Sequence, residues 1–248
     1  MEFVRRNLRS LVRRSAIPLA DSSGSYAVQH LPEWMATRGF DFPRWRALWT
    51  AQNPRNDRAD LARLIMFIEN AALLQAEDIA GSVAELGVYK GTTAKLLHEL
   101  LPGRTLWLFD TFEGFDARDL PGERGTDAAS FQFDDTSLAA VLEHIGSSDR
   151  IRPCRGYFPA TAAAVPDDER FALVHLDADL QKPTADALEF FYPRLSPGGF
   201  LILHDYGSGA WPGVVEAVDR FFVDKPESIV RIPDKSGTAV VRRLKRSV

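Results

Sequence analysis

From residue 82 onward, short apolar runs alternate with stretches whose apolar residues recur at helical spacing. The runs at 82–86, 105–110, 150–154, 171–177 and 199–204 are bounded by turn residues and predict buried strands. The segments near 92–101, 136–146, 158–165, 183–194 and 211–223 read as helices. Just upstream, Asp60 to Gln75 sets Leu61, Leu64, Ile65, Phe67, Ile68, Ala71 and Leu74 at helical intervals, predicting an amphipathic helix that leads into the sheet. Five strands separated by helices imply a parallel sheet wound on both faces. Two more strands, at 228–232 and 238–243, are separated only by Pro233-Asp234-Lys235-Ser236-Gly237, which makes them a hairpin. The expectation is an α/β fold: a doubly wound, seven-stranded, mostly parallel sheet whose last strand is antiparallel.

The first 60 residues have a different pattern. Arg5, Arg6, Arg9, Arg13 and Arg14 alternate with Phe3, Val4, Leu8, Leu11 and Val12. That spacing allows a short basic amphipathic helix, read here as a solvated or partner-packed arm rather than a membrane-surface helix. Asp21-Ser22-Ser23-Gly24-Ser25 is linker-like. Residues 26–60 carry Trp34, Phe40, Phe42, Trp45 and Trp49. Aromatics at that density bury against the main domain, a second subunit or a substrate pocket that they roof. The chain therefore divides into an N-terminal arm and aromatic cap over 1–60 and a main domain over 61–248.

Within the main domain, Ala84-Glu85-Leu86-Gly87-Val88-Tyr89-Lys90-Gly91-Thr92-Thr93 reads as a strand end, a glycine turn and a helix start. The two glycines let backbone pass close to a ligand, and the helix N-terminus then points at it. Glu85 narrows the ligand: a carboxylate before the turn repels phosphate and suits a cation or hydroxyl groups. The next strand ends in Asp110, placed to accept hydrogen bonds from ribose hydroxyls.

Further acids end the later strands: Asp177 with Asp179, and Asp205. In an open parallel sheet the ligand crevice lies outside these ends. Each acid alone is explained as a helix cap, most readily Asp179 and Asp205, but the set on separate strands argues for a site. Asp177 and Asp205, on adjacent strands, can share a hard divalent cation through oxygen ligands. Asp179 then stands nearby as a base toward a substrate hydroxyl. The polar stretch 111–135 is long enough to be an active-site loop.

Composition closes off other classes. A formal charge of -4 gives no electrostatic case for nucleic acid. A single cysteine, Cys154, excludes an internal disulfide framework and a multi-cysteine metal site. No apolar run approaches the ~18 residues of a membrane span, and there is no signal-peptide pattern, so cytoplasm is expected.

Three segments in order, Glu85-Leu-Gly-Val-Tyr-Lys-Gly91, Asp110-Thr-Phe-Glu-Gly114 and Leu176-Asp-Ala-Asp-Leu180, with Tyr192-Pro-Arg-Leu-Ser-Pro-Gly-Gly199 and His204-Asp-Tyr-Gly207 around the last, resemble the macrocin O-methyltransferase family. The resemblance covers roughly residues 60–245. It implies a class I methyltransferase fold, with S-adenosylmethionine as methyl donor and a sugar hydroxyl, glycoside or nucleotide-linked, as acceptor. It implies that Glu85, Gly87, Tyr89, Gly91 and Thr92 lie along the cofactor, with Asp110 on the ribose and Thr111 beside it. It also implies Mg²⁺ held by three carboxylates, of which Asp177 and Asp205 match two, and Asp179 as general base. The third position is His204 here, and imidazole suits Mn²⁺, Fe²⁺ or Zn²⁺ better than Mg²⁺: His204 either coordinates, drops out and leaves a weaker two-carboxylate site, or serves as the base itself. The family's assemblies imply a homo-oligomer, dimer or higher.

Rival readings remain. A nicotinamide-dependent oxidoreductase would carry G-x-G-x-x-G, and this turn lacks its first two glycines. A phenol or catechol O-methyltransferase would use the aromatic cap as a flat-substrate pocket. A non-catalytic S-adenosylmethionine-binding subunit would owe its lost metal to His204.

Overall fold

The computed structural model describes residues 41–53, 60–123, 133–146 and 148–245. The basic arm, most of the aromatic cap and the middle of the 111–135 loop lie outside them. The chain forms two units, 1–45 and 46–248. In the first, Asp41 accepts a hydrogen bond from the Arg44 amide at 3.1 Å at the start of helix α1 (Phe42–Gln52). The description below concerns the second.

After helix α2 (Leu61–Ala76), the elements run β1 (Ser82–Leu86), α3 (Thr92–Leu100), β2 (Leu106–Asp110), α4 (Leu138–Ile145), β3 (Ile151–Arg155), a 3-10 turn (Ala160–Ala164), and β4 (Phe171–Leu176). They continue with α5 (Gln181–Phe191), a second 3-10 turn (Tyr192–Arg194), β5 (Leu195–Leu203), α6 (Pro212–Phe222), β6 (Val230–Arg231) and β7 (Ala239–Arg242). The described strands form one sheet in the order β3-β2-β1-β4-β5-β7-β6. Pairings from β3 through β5 are parallel, and β7 is antiparallel to both β5 and β6. The expected α/β class and mixed sheet are both present. β7 is inserted beside β5, so the antiparallel strand is last in sequence but not at the edge.

Each element follows from its residues. β1, β4 and most of β5 are buried on both faces, so they are continuous apolar runs rather than alternating ones. Edge strand β3 buries only Ile151 and Cys154. Asp60 caps α2 by accepting from the Arg63 amide at 3.3 Å, and Ser137 caps α4 in the same way from Ala140. Pro212 opens α6, where a missing N–H costs nothing. Phe191 of α5 seats the helix on the sheet, with ring centroids 5.6 Å from Phe109 and 5.2 Å from Phe171. Phe158 stacks on Phe191 at 5.8 Å. No helix among the described residues is long and apolar enough to cross a membrane.

Several boundaries shift by one to a few residues from the sequence reading, and the hairpin strand expected over 228–232 shortens to Val230–Arg231. β5 begins at Leu195 rather than 199, because the Ser196-Pro197-Gly198-Gly199 segment is extended and bulged. Leu195 pairs with Phe171, and then Phe200 pairs with Leu173. The helix expected over 158–165 contracts to one 3-10 turn.

Strand order progresses outward from β1 through β2 to β3, and from β4 to β5 in the other direction. The crossovers therefore lie on opposite faces, and the chain parts between β1 and β4. At that parting Gly87 approaches the β4 end closely. A Cβ on Gly87 would lie 2.0 Å from the Asp177 carbonyl oxygen, and its φ of +83° already disfavours a side chain. Gly87→Ala is expected to lower unfolding free energy by at least about 2 kcal/mol in denaturant titration. Gly103→Ala, where a Cβ meets nothing within 4 Å, should shift it by no more than about 0.5 kcal/mol.

Candidate active site

A cavity of about 830 Å³ opens at the β1/β4 parting, on the C-terminal edge of the sheet. Its size falls within the range of roughly 300–1,000 Å³ usual for ligand pockets. Of the residues singled out from sequence, all but Gly91 line it: Glu85, Gly87, Tyr89 and Thr92, Asp110 with Thr111, and the group Asp177, Asp179, His204 and Asp205. Gly91 is instead the left-handed residue preceding α3, with φ +79°, where a Cβ would press on Val141 and Ile145 of α4.

At one end the cavity is built on the β1 and β2 termini. The Asp110 carboxylate draws the β1 turn toward β2. One oxygen accepts from the Val88 and Tyr89 amides at 2.6 and 2.9 Å, and the other from the Phe112 amide at 2.6 Å. Thr111 donates to the Gly114 carbonyl at 2.5 Å and accepts from the Glu113 amide, closing the turn that follows. Tyr89, in the left-handed region at φ +50°, donates its hydroxyl to Asp135 at 2.6 Å. Non-glycine residues in that region cost energy and cluster where a site over-determines the backbone; Phe112, Asp179 and Asp205 share the feature around this cavity.

Glu85 is only 1% exposed and pairs in register with His175 of β4. His175 Nδ1 lies 2.9 Å from Glu85 Oε1. Burial, then the neighbouring Asp177 and Asp110, push the Glu85 carboxyl well above its ordinary range. Burial pulls His175 down to about 3. The pair is thereby held without net charge. Glu85 Oε2 has no partner in this structure although it is buried against the cavity. An orphaned buried acceptor costs free energy until a donor reaches it, and a ligand that brings an N–H donor and hydroxyl groups meets both Glu85 and Asp110.

The other end holds the carboxylate cluster. Asp177 immediately follows β4, and His204 and Asp205 immediately follow β5; the Asp177 amide bonds Leu86 O and the His204 amide bonds Leu176 O, extending the ladder past the strands. Adjacent residues on a strand point to opposite faces. Asp205 escapes that alternation through its φ of +58°, and its carboxylate meets the same imidazole atom as Asp177. His204 Nδ1 lies 2.6 Å from Asp177 Oδ1 and 2.7 Å from Asp205 Oδ2. Burial alone would lower His204, but Asp177 foremost, with Asp205, raises it to about 10. Burial would likewise raise Asp177, and the imidazolium reverses this and holds it well below the usual carboxylate range. Asp179, facing Asp177 and Asp205 with φ +60°, is pushed well above that range, by burial first and then by those two charges.

The donor atoms of Asp177, His204 and Asp205 all lie within 4.8 Å of one another. Two carboxylate oxygens and one imidazole nitrogen fit a divalent cation of borderline character better than one demanding oxygen alone.

The cavity also contains residues the sequence reading passed over. Arg63 of α2 reaches it while donating to Ser236 at 2.5 Å and lying 3.5 Å from Asp234; a lone arginine on an amphipathic helix carries no local signal. Phe115 and Trp211 lie just beyond the Asp110-Thr-Phe-Glu-Gly and His204-Asp-Tyr-Gly segments, and proximity to those segments was the available clue. Their rings are 5.9 Å apart, Phe133 follows at 5.3 Å from Phe115, and Tyr89 at 5.1 Å from Phe133. A continuous aromatic wall thus joins the β1 turn to the loop after β5.

A model of the macrocin-O-methyltransferase (TylF) family matches residues 58–233. The chain is 32% identical over 154 residues to the 8-demethyl-8-(2,3-dimethoxy-alpha-L-rhamnosyl)-tetracenomycin-C 4'-O-methyltransferase of Streptomyces olivaceus, covering 54% of this chain and 56% of that protein. It is 32% identical over 160 residues to mycinamicin III 3''-O-methyltransferase of Micromonospora griseorubida, covering 58% and 61%. The chain therefore spans a little over half the length of these two curated relatives. Among solved structures, the O-methyltransferase NovP superposes with a TM-score of 0.65 at 22% identity, over 74% of this chain and 80% of that one, which shows a shared fold. With the family model covering residues 58–233 and the site carried on the same segments, the chain belongs to the macrocin-O-methyltransferase family.

Proposed function

We propose that the protein is an S-adenosylmethionine-dependent O-methyltransferase acting on a sugar hydroxyl. One observation carries the reading: a single cavity joins the Glu85–Asp110 end to the Asp177–Asp179–His204–Asp205 cluster. A methyl donor and an acceptor can therefore meet in it. The curated relatives named above are O-methyltransferases by name, one for a rhamnosyl-bearing tetracenomycin. A further neighbour of the same fold, with a TM-score of 0.53, is described as a TDP-rhamnose 3'-O-methyltransferase.

S-adenosylmethionine, when bound, supplies a methyl group already activated on a sulfonium. The protein's task is then to orient the acceptor and manage one proton. Asp110 offers its remaining lone pairs to ribose hydroxyls, and the orphaned Glu85 Oε2 accepts from the amino-acid end. Gly87 leaves room for the donor where a side chain would intrude. Asp179, its basicity raised by burial and by Asp177 and Asp205, takes the acceptor proton as the oxygen–carbon bond forms and the carbon–sulfur bond breaks. A divalent ion would be held by Asp177, Asp205 and His204 and would supply charge stabilisation to the acceptor oxygen. His204, as an imidazolium between the two carboxylates, keeps that cluster compact in the ion's absence.

Three outcomes test this reading. Calorimetric titration with S-adenosylhomocysteine should give micromolar binding that Glu85→Ala and Asp110→Ala each weaken at least about tenfold, a loss of roughly 1.4 kcal/mol; unchanged binding in both would refute the cofactor assignment. Asp179→Asn should lower turnover by about 10²-fold or more with S-adenosylhomocysteine affinity intact, and a wild-type rate removes it as the base. The third outcome concerns His204. Its folded value of about 10 exceeds the ordinary 6.5, so its contribution to stability is complete below about pH 6.5 and disappears as pH rises through 10. In chelator, the melting-temperature deficit of His204→Asn should be largest near pH 6 and shrink toward pH 10. A deficit that stays constant across this range contradicts the ion pair.

A further inference from the structure

Asp179 owes its place to a strained turn. The Leu180 amide donates to the Ala178 carbonyl at 2.6 Å, and Asp179 between them has φ +60°. This is the strained, positive-φ form of the γ-turn. A residue in such a conformation stays there only when its flanks are fixed. On one flank, the Asp177 amide is bonded to Leu86 O. On the other, α5 begins at Gln181, and its cap position falls on Leu180, which has no side-chain oxygen to offer.

The orphan amides of that first helical turn find their partner elsewhere in the chain. Pro183 has no N–H, and the Thr184 amide bonds to the Leu180 carbonyl at 3.3 Å, so Gln181 and Lys182 remain. The Gln181 amide donates to Glu123 Oε1, 58 positions away in sequence, and the Lys182 amide faces the same carboxylate. A negative charge there also meets the positive end of the helix dipole. Glu123 is not among the residues that line the cavity. It belongs to the segment that follows Asp110, and that segment is held along its length. Tyr157 donates to Asp119 at 3.0 Å, the Arg118 guanidinium lies 3.6 Å over the Tyr157 ring, and the Glu123 amide bonds to Leu120 O at 3.2 Å. Gly213, near the start of α6, closes the other side: a Cβ there would lie 2.8 Å from Glu123 Oε2 and 2.8 Å from Gln181 Cβ.

Resting on the reading of Asp179 as the base, we propose that Glu123 is a positioning residue for the reaction. As the tertiary cap of α5 it holds the γ-turn that presents Asp179 to the cavity. It acts through the backbone and touches neither donor nor acceptor. The segment that leaves the donor-binding Asp110 and the base at the acceptor end are thereby joined into one mechanical unit.

The test uses the full chain. S-adenosylhomocysteine is titrated first; a wild type that does not bind it overturns the methyltransferase reading and this inference with it. With that binding in place, amide hydrogen exchange at Gln181 and Lys182 is followed by nuclear magnetic resonance. Glu123→Ala should speed exchange there by about fivefold or more, and Glu123→Gln, which keeps an acceptor oxygen, should restore most of the protection. Gly213→Ala, which crowds the carboxylate without removing it, should also speed exchange. Ser137→Ala, which removes the cap of α4, should lower the melting temperature and leave exchange at Gln181 and Lys182 unchanged. With S-adenosylmethionine and a panel of methyl glycosides, Glu123→Ala should lower kcat by about tenfold or more while KM for S-adenosylmethionine stays within about twofold, and Glu123→Gln should recover the rate. Exchange indifferent to Glu123→Ala, an unchanged kcat despite faster exchange, or a KM for S-adenosylmethionine that rises in step with the lost kcat would each overturn the inference while leaving the methyltransferase reading standing. A wild type inactive on every glycoside counts against the sugar acceptor, and the exchange measurement then decides the inference alone.

Discussion

The structure depends on how closely β1 and β4 approach each other where the sheet parts. Gly87 lies against the Asp177 carbonyl with no room for a Cβ, and the Asp177 amide is bonded to Leu86 O at 2.9 Å. That contact fixes the base of the crevice. It brings Glu85 and Asp177 into one cavity although 92 positions separate them in the chain (177 − 85). The bonds that continue past the strand ends, including His204 N to Leu176 O, then place His204 and Asp205 beside Asp177. Acids drawn together in this way repel, and compensating that charge determines the rest of the site.

Compensation takes three forms, each of which leaves a group suited to chemistry. Asp110 is satisfied by backbone amides, which turns the loop after β1 toward the cavity. Glu85 is buried beside a histidine that burial keeps neutral, leaving one oxygen without a partner. Asp177 and Asp205 share the His204 imidazole, and Asp179, left outside that pair, carries the raised basicity. The same low-dielectric surroundings that penalise an unpaired charge strengthen these pairings. The left-handed backbone at Asp179 and Asp205 is the conformational cost of aiming several carboxyl groups at one point.

The order of elements, the sheet class and the strand-end acids were all legible in the chain, since buried parallel strands are apolar runs and the acids interrupt them at their ends. Glu85, Asp110 and Asp177 were recognisable for this reason. His175 was readable only as a packed strand residue, because its partner comes from another strand in register. Gly91 resembles Gly87 in sequence, yet it meets α4 and not the cavity; both roles require a small residue with positive φ, and nothing local separates them.

The sequence by itself determined what each segment becomes, through periodicity and capping, and which chemical groups are carried to the strand ends. Tertiary structure alone decided how those groups face one another. His204 and Asp205 are neighbours that an extended backbone would direct apart, and only the turn after β5 brings both onto Asp177. Arg63, Phe115 and Trp211 reach the cavity from three separate elements. Their roles depend on distances between parts of the chain that no local pattern encodes, because packing and long-range charge pairing act across the folded molecule.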